Sequence, residues 1–363
     1  MAVVERGSVG IGEIRSVVCP HSNGDGLGFC VFKEKPEVCP PLYECRDFVV
    51  LSGPGNLQLA QEVSGILHKR VSNPMKKFSD GESLARIPES VRRKRVYILQ
   101  PGQPDPDRRI NETFHMVDAA RRSSAGEITV FFPYYPQGRA DRKDQPRVSI
   151  GGAMFARQLE DRGVHRIVTL DMHAEQLQGV TNIPWDNLYT SHSLLPVLER
   201  ELGNEDLVVA CTDAGGVKRA NFYHEELGAD SLAIFLKQRD PRDKNAPKSF
   251  GMIGDVRGKR VLFLDDVIDT AGTLKLAADC AIENGAVEVC AVAAHGVFSE
   301  NALDTIWNSP IERVWVTNTI QPRPEVLNHL KIGKEGVVSV APLVAEIILR
   351  IQTGESLSEG LIR

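Results

Sequence analysis

The sequence predicts an α/β protein with two similar lobes, each a parallel sheet flanked by helices. Short β-branched runs alternate with amphipathic stretches of helical length, which is the pattern of parallel βαβ units. The runs extend over more of the chain than one domain of about 100 to 150 residues needs. Short-period repeats and low-complexity tracts are absent from the sequence, which argues against solenoids and fibres.

Nine apolar runs are predicted to be strands, because each is short and rich in Val, Ile, Leu or Phe. In chain order they are Phe48–Leu51, Val96–Leu99, Ile128–Phe132, Ile167–Leu170, Leu207–Cys211, Leu232–Phe235, Val261–Leu264, Val287–Ala293 and Val314–Val316. Between them, apolar residues at helical spacing predict one helix that opens with Asn56 to Val63 and another over Ile150 to Glu160.

The domain prediction has three parts. Residues 1–46 mix Gly, Pro, Cys and charge without periodicity, so they are predicted to form an irregular N-terminal extension. Residues 47–190 and 191–363 are predicted to form the N-terminal and C-terminal lobes, with the break between Thr190 and Leu202. Four of the seven cysteines fall in the extension, and with His21 they could bind a metal. Their spacing differs from the usual paired zinc ligands, and an irregular segment with ordinary thiols is the favoured interpretation.

Composition and charge exclude several classes of protein. The formal net charge is −5, so a large basic surface for nucleic acid is not expected. No apolar run approaches the roughly 20 residues of a membrane span. The first fifteen residues include Glu5 and Glu13 and lack a secretory pattern, so a cytoplasmic protein without a membrane partner is expected.

The run from Val261 to Leu274 is the most informative segment for function. An apolar strand is predicted to end in the carboxylates Asp265 and Asp266, and a turn of small and hydroxyl-bearing residues then leads into a helix. Backbone N–H groups and threonine hydroxyls at a helix N-terminus suit a phosphate, whereas two carboxylates suit sugar hydroxyls or a bridging Mg²⁺. The turn consists of Asp269, Thr270, Ala271, Gly272 and Thr273. We expect it to hold a sugar phosphate at the carboxyl edge of a sheet.

This run resembles the phosphoribosyl-pyrophosphate signature of phosphoribosyltransferase-type folds. Further segments narrow the resemblance to the ribose-phosphate pyrophosphokinase family, also called phosphoribosyl pyrophosphate synthetases. They are Phe78–Glu82, Pro133–Asp144, Asp171–Ala174, Gln176–Gly179 and Ile183–Tyr189, all in the family's order. The resemblance covers about Phe48 to Ile351 and implies two phosphoribosyltransferase-type lobes, with the ribose-5-phosphate loop in the second.

His173 and Asp213 are the predicted metal ligands. Each follows an apolar run, so both are expected at the carboxyl edges of sheets. A His and an Asp at neighbouring strand ends can hold a hydrated Mg²⁺, and the resemblance implies that this ion sits on the ATP phosphates. Asp213 also opens a Gly-rich segment that the resemblance places near the transferred diphosphate.

The resemblance implies an ATP site in the first lobe. Phe78, Asp80 and Glu82 match family positions that contact adenine, often across a subunit interface. Arg139, Asp144 and His173 match positions near the ATP. The family usually has Gln after the arginine, whereas this chain has Ala140, which removes an amide contact and leaves nucleotide selectivity open.

Lys237 and Arg239 are the predicted catalytic residues. They follow the strand Leu232–Phe235 and begin a polar stretch that reads as a mobile loop. The resemblance implies that both close over the reacting phosphates, which would exclude water from a hydrolysable donor. A solvated charge run is the alternative interpretation.

Together these residues predict the transfer of the β,γ-diphosphate of ATP to O1 of ribose 5-phosphate, with Mg²⁺ as cofactor. The products would be 5-phosphoribosyl 1-diphosphate and AMP, for nucleotide biosynthesis. The resemblance implies a homo-oligomer, commonly a hexamer built from dimers. Two alternatives remain open at this stage: a phosphoribosyltransferase, which would not need the Phe78, Arg139 and His173 segments, and a non-catalytic regulatory subunit, for which Ala140 is the main argument.

Overall fold

The computed structural model describes residues 17–18, 29–30, 47–238, 249–358 and 361, and the side chains of 47–236, 251–358 and 361. The chain divides into two compact units, Met1–Arg46 and Asp47–Arg363. In the first unit, β1 (Val17–Val18) pairs antiparallel with β2 (Phe29–Cys30). The predicted metal-binding group of Cys19, His21, Cys39 and Cys45 lies outside the described residues, and only the backbone of Cys30 is described.

The first lobe of the second unit contains a six-stranded parallel sheet in the order β10-β9-β8-β7-β3-β4. Its elements are β3 (Phe48–Ser52), α1 (Leu57–Leu67), β4 (Val71–Ser72), β5 (Met75–Lys77), β6 (Ser83–Ala85), β7 (Arg95–Leu99), α2 (Pro106–Arg122), β8 (Glu127–Phe132), α3 (Gly151–Asp161), β9 (Arg166–Leu170), a 3₁₀ turn (Glu175–Val180) and β10 (Trp185–Leu188). β5 and β6 form a separate antiparallel hairpin.

The second lobe contains a seven-stranded sheet in the order β13-β12-β11-β14-β15-β16-β17. Its elements are α4 (Ser191–Leu202), β11 (Leu207–Cys211), α5 (Val217–Leu227), β12 (Ser231–Gln238), β13 (Ser249–Ile253), β14 (Arg260–Ile268), α6 (Gly272–Glu283), β15 (Glu288–Gly296), α7 (Ala302–Trp307), β16 (Ile311–Thr317), α8 (Pro324–Leu327), β17 (Val337–Val338) and α9 (Ala341–Thr353). All pairs are parallel except β12 with β13.

Each sheet has a buried apolar core on both faces, as the near-continuous apolar strands predict. On the first sheet, α2 and α3 cover one face, and α1 covers the other. On the second sheet, α6 and α7 cover one face, and α4 and α5 cover the other. The predicted α/β fold with parallel sheets flanked by helices is therefore confirmed.

The last helix, α9, completes the first lobe although it follows the second sheet in the chain. Its residues Val344 and Ile348 are fully buried in the same core as Leu59 and Val63 of α1. Arg95 of β7 donates from Nη1 to the carbonyl oxygens of Ile351 and Gln352, which satisfies the C-terminal end of the helix. The predicted division at residue 190 stays a prediction, and α9, expected in the C-terminal lobe, packs on the first sheet.

Three local predictions were wrong. The strand predicted to stop at Phe235 continues to Gln238, because it pairs with β13. The strand β13 was not predicted from the sequence. The strand predicted to end before Asp265 continues to Ile268, because β15 offers a parallel partner along its whole length.

None of the helices within the described ranges is long and apolar enough to cross a membrane.

Candidate active site

The turn between β14 and α6 has the shape that the sequence predicts for a sugar-phosphate loop. Asp269 follows the strand directly, and Ala271 adopts a left-handed backbone with a φ of 60° immediately before the helix. No side chain caps the N-terminus of α6, so its first N–H groups are available to a ligand. A left-handed alanine costs free energy, and such strain concentrates at functional turns.

His173 and Asp266 form a hydrogen-bonded pair between the two lobes. His173 follows β9, Asp266 lies in β14, and Nδ1 of the histidine is 2.7 Å from Oδ2 of the aspartate. The hydrogen bond to Asp266 raises the pKa of His173, although partial burial opposes this shift. The pair therefore favours a protonated imidazole beside an ionised carboxylate.

A second pair joins the lobes a short distance away. Arg139 of the first lobe donates from Nη1 to Oδ2 of Asp269, the first residue of the sugar-phosphate turn. Burial opposes ionisation of Asp269, but hydrogen bonds from Ser299 and Arg139 outweigh it and lower the pKa of the carboxyl. Arg139 is thus in direct contact with the sugar-phosphate turn.

Adjacent acids in β14 differ in their ionisation. Burial and the neighbouring charge of Asp266 raise the pKa of Asp265. Burial also acts on Asp266, but the hydrogen bond from His173 and the charge of Arg219 outweigh it and lower the pKa of Asp266. Arg219 Nη1 lies 3.5 Å from Asp266 Oδ1. The ionised member of the pair is therefore Asp266.

These residues line one cleft at the carboxyl edges of the sheets. Its walls come from the segments after β8 and β9 in the first lobe and from β14 and β15 in the second. The lining residues are Tyr134, Tyr135, Gly138, Arg139, Asp171, Met172, His173, Asp266, Val267 and His295. The structure therefore brings together four of the predicted site residues, since Arg139, His173 and Asp266 line the cleft and Asp269 contacts Arg139.

Other predicted site residues lie in exposed positions. Phe78, Asp80 and Glu82 occupy the tip of the β5–β6 hairpin, where Glu82 N donates to Asp80 Oδ1. The Phe78 ring is 53% exposed. Asp144 lies in an exposed loop, and Thr270 and Thr273 are exposed on the turn. None of these side chains is among the lining residues of the cleft.

Asp213 lies in the turn between β11 and α5, and Gly216 N donates to its Oδ1 at 2.7 Å. His173 pairs with Asp266 in this structure, so the shared role of His173 and Asp213 as metal ligands stays a prediction. Lys237 has its backbone in β12, but its side chain and the whole of Arg239 lie outside the described residues.

The prediction missed two buried residues beside the cleft. The side chain of Arg219 is only 18% exposed, and its guanidinium interacts with the charges of Asp171, Asp266 and Asp265. Its Nε atom has no hydrogen-bond partner among the described residues. His295 ends the apolar run of β15, and the logic that identified His173 at a strand end could have found it.

Asp266 and Arg139 line the cleft, Arg219 lies beside Asp266, and the uncapped turn before α6 is joined to Arg139 through Asp269. This combination is typical of proteins that handle sugar phosphates or nucleotides. Comparisons of the chain with known protein families narrow this class. A family model described as the N-terminal domain of ribose phosphate pyrophosphokinase matches residues 48–163. A second, described as the phosphoribosyl synthetase-associated domain, matches residues 229–363.

Curated relatives and a solved structure agree with these family models. The chain is 42% identical over 312 residues to the ribose-phosphate pyrophosphokinase of Caldanaerobacter subterraneus subsp. tengcongensis, covering 85% of this chain and 96% of the relative. It is 38% identical over 310 residues to that of Aquifex aeolicus, covering 85% and 97%. The phosphoribosylpyrophosphate synthetase from Mycobacterium smegmatis matches with a TM-score of 0.76 and 32% identity, covering 84% and 99%. The chain belongs to the ribose-phosphate pyrophosphokinase family, which confirms the resemblance stated from the sequence.

Proposed function

We propose that this protein is a ribose-phosphate pyrophosphokinase that moves the β,γ-diphosphate of ATP to O1 of ribose 5-phosphate. The products are 5-phosphoribosyl 1-diphosphate, a precursor for nucleotide biosynthesis, and AMP. One observation supports the proposal most strongly. The residues expected on the ATP side, Arg139 and His173, are hydrogen-bonded to residues expected on the sugar side, Asp269 and Asp266. A diphosphate transfer needs its donor and acceptor sites to adjoin in this way.

The sugar side of the cleft would be formed by the second lobe. The turn from Asp269 to Thr273 and the open N-terminus of α6 would bind the 5-phosphate through N–H groups and hydroxyls. Asp265 and Asp266 would bind the ribose hydroxyls, directly or through the metal. The pKa of Asp265 is raised by burial and by its neighbour, so this carboxyl suits a hydroxyl partner better than a second free anion.

The diphosphate would bind between the two lobes. Arg219 offers a buried guanidinium whose Nε lacks a partner, and a ligand would satisfy such a donor. Arg139 adds positive charge at the same cleft, and His173 adds to it either as an imidazolium in the metal-free site or, in its neutral form, by holding the metal. These fixed charges would stabilise negative charge on the phosphoryl oxygens as O1 attacks the β-phosphorus in line. No described side chain in the cleft stands out as the base that removes the proton from O1.

Mg²⁺ is the proposed cofactor. In proteins it is usually held by one or two carboxylates, with water and substrate phosphates completing the octahedron. No group of three or more His, Cys, Asp or Glu that could hold a metal occurs in the described part of the chain. An ion that arrives on the ATP phosphates and is completed by His173, Asp213 or the β14 carboxylates fits this donor set. When bound, it would neutralise charge on the transferred diphosphate.

Lys237 and Arg239 are proposed to close over the phosphates from the β12–β13 hairpin. The backbone pairing of Lys237 with Phe250 places this residue near the end of the paired strands, next to residues 239–248, which the sequence predicts to be a loop. Closure of such a loop would exclude water while the diphosphate is transferred.

The test is an assay of AMP release from ATP and Mg²⁺, with and without ribose 5-phosphate. We expect release that depends on the sugar and falls by about 100-fold or more in Lys237→Ala, because a charge at the transferring phosphates is lost. Lys259→Ala is the matched control, since this lysine forms a surface ion pair with Asp230 in the same lobe. Absence of AMP from folded wild-type protein would contradict the proposal and favour a regulatory subunit. Release of diphosphate from the sugar product with a base or amine as acceptor would favour a phosphoribosyltransferase.

A homo-oligomer with shared ATP sites is part of the proposal. The exposed Phe78 at the hairpin tip supports it, because a large apolar ring in that position suits contact with another subunit. Phe78→Ala and His173→Ala should each lower activity strongly but measurably alone, and co-expression should restore part of the activity if each site takes Phe78 from one subunit and His173 from another. Failure of the pair to restore activity would show that each subunit builds its own site.

A cytoplasmic location and the lack of nucleic-acid and membrane partners stay predictions.

A further inference from the structure

His295 occupies the junction between the two lobes. It lies near the end of β15, where its backbone is paired with Val267 of β14 and Thr317 of β16. The side chain is 2% exposed and belongs to the lining of the cleft, one strand away from Asp266. It is therefore a buried polar group beside the proposed reaction site to which the proposed mechanism gives no role.

The hydrogen bonds of His295 define its tautomer. Nε2 lies 3.2 Å from the carbonyl oxygen of Leu170 and 3.3 Å from that of Asp171. Nδ1 lies 2.8 Å from Thr319 Oγ1. A carbonyl oxygen can only accept, so Nε2 carries a proton, and in the neutral ring Nδ1 then accepts from the threonine hydroxyl. Burial lowers the pKa of His295, which agrees with a neutral ring.

The carbonyl groups that His295 contacts belong to the segment that delivers His173. Asp171 turns sharply after β9 with a φ of 41°, a left-handed conformation that is strained for a residue with a side chain. Its N–H donates to Leu188 O, and its carboxylate accepts from the N–H and hydroxyl of Thr190. These contacts come from residues of the first lobe. The contact from His295 Nε2 to the carbonyl oxygen of Asp171 comes from the second lobe.

The ring of His295 also contacts the segment that delivers Arg139. Its centroid lies 4.9 Å from that of Tyr134, with the planes at 71°. Tyr134 is five residues before Arg139 and lies in the same wall of the cleft. One side chain of the second lobe therefore touches both first-lobe segments that carry the proposed ATP-side residues.

We infer that His295 is a positioning residue that holds the Asp171–His173 turn of the first lobe in register with the sugar-phosphate turn of the second. This inference rests on the proposed function. The neutral imidazole fits the role because it presents one donor to a strained backbone turn and is itself oriented by Thr319. Through this turn, it sets the position of His173 relative to Asp266, and thereby the fit between donor and acceptor sites.

The test compares His295→Leu with His295→Gln. Leucine removes the donor, whereas the glutamine amide can still donate to the Leu170 and Asp171 carbonyls. We expect kcat to fall by about 10- to 100-fold in His295→Leu, because misplacement of a positioning group by about 1 Å has this effect. His295→Gln should recover most of kcat. Dissociation constants for ribose 5-phosphate alone should stay within about twofold of the wild type in both variants, because the sugar turn is built on other contacts.

A double-mutant cycle with His173→Ala separates positioning from general destabilisation. If His295 acts through His173, adding His295→Leu to His173→Ala should lower kcat no further. In hydrogen exchange, the amides of Met172 and His173 should exchange faster in His295→Leu and recover in His295→Gln, with the rest of the second lobe unchanged. His329→Leu is the control, since His329 bonds Leu303 O within the second lobe and is not part of the cleft.

Three outcomes would overturn the inference. They are wild-type kcat in His295→Leu, full additivity of the two substitutions, and an equal loss of activity in the leucine and glutamine variants. Failure of the proposed function would look different, because the wild-type protein itself would then release no sugar-dependent AMP. The hydrogen-exchange comparison still tests the contact in that case, since it needs no turnover.

Discussion

The two lobes share one architecture but use the carboxyl edges of their sheets differently. In the first lobe, Gln100 follows β7, and its Nε2 donates to Glu112 Oε2, which also accepts from Arg109 Nη1. All three side chains are at most 5% exposed. In the second lobe, Asp266 and Asp269 at the corresponding edge point their carboxylates at residues of the other lobe. The end of β7 is closed by side chains of its own lobe, and we call it the closed edge. The end of β14 is open to the cleft, and we call it the open edge.

The N-termini of α1 and α6, the helices that follow β3 and β14, show the same contrast. At the N-terminus of α1, Asn56 Oδ1 accepts from Leu59 N, and Asn56 Nδ2 donates to the Asn318 carbonyl of the second lobe. At the N-terminus of α6, no side chain forms a cap. Parallel sheets therefore determine where a site can form, but the side chains at the strand ends decide whether that place binds a ligand or other parts of the protein.

The largest effect is expected at the open edge. Asp266→Asn removes the charge that pairs with His173 and Arg219 while keeping the shape of the side chain. We expect kcat to fall by about 100- to 1,000-fold, since preorganised charge contributes effects of this size. Asp279→Asn is the control, because Asp279 pairs with Lys275 on the surface of α6. Steady-state kinetics check this, and an Asp266→Asn enzyme with normal kcat would show that the pair is structural only.

At the closed edge, substitution should affect stability rather than activity. Glu112→Gln leaves the buried Arg109 without its carboxylate, and breaking a buried pair from one side costs about 3 to 5 kcal/mol. We expect that loss in the free energy of unfolding, with kcat within about twofold of wild type at a temperature where the variant is folded. Denaturant unfolding measures the first quantity. Asp118→Asn, which removes an exposed ion pair on the same helix, should cost less than about 1 kcal/mol. A large drop in kcat for Glu112→Gln would contradict the division of roles.

The two helix N-termini provide a smaller and reciprocal test. Asn56→Ala removes the cap of α1 and should lower the free energy of unfolding by about 1 kcal/mol without changing the KM for ribose 5-phosphate. Thr270→Val in the open turn should leave stability within about 0.5 kcal/mol and raise that KM by about tenfold, because a hydrogen bond to a charged phosphate is lost. If both variants changed stability and neither changed KM, the open turn would not be the phosphate site.

Much of the fold could be predicted because its signals are local. All nine predicted strands overlap strands of the structure. The two predicted helices begin directly after Asn56 and Ile150, which are their N-cap residues. The strand ends were less predictable, since β12 and β14 continue for as long as a neighbouring strand supplies hydrogen bonds. α9 shows the same limit. Its apolar face is visible in the sequence, but nothing local indicates that it covers the first sheet.

The candidate site, too, could be predicted only in part from the sequence. Asp266, Asp269 and His173 could be predicted because polar residues at the ends of apolar runs mark strand edges, whereas Arg139 was predicted from the family resemblance. Their pairing across the lobes could not, because it depends on how two separately encoded sheets meet. Arg219 was missed for a related reason, because its burial is a tertiary property and in the sequence it looks like surface charge. His295 carried a usable signal at the end of an apolar run, but its contacts across the lobes could not be predicted.

The smallest expected effect is a pH dependence of stability that separates His295 from the acids of the open edge. Burial lowers the pKa of His295, while Asp171 and Asp266 oppose this shift and Arg219 adds to it. The contribution of His295 to the free energy of unfolding should be complete above its unfolded-state pKa of about 6.5. It should decline as the pH falls toward the lower pKa that His295 has in the folded protein. The unfolding free energy of the wild type, measured without metal from about pH 7.5 to 5, should therefore fall more steeply than that of His295→Gln. The carboxylates contribute equally to both proteins, so the difference between the two curves isolates the histidine. Parallel curves would show that the pKa of His295 is the same in the folded and unfolded protein, and a shallower wild-type curve would show that the folded protein holds the ring charged. Either result would contradict the neutral tautomer assigned to His295.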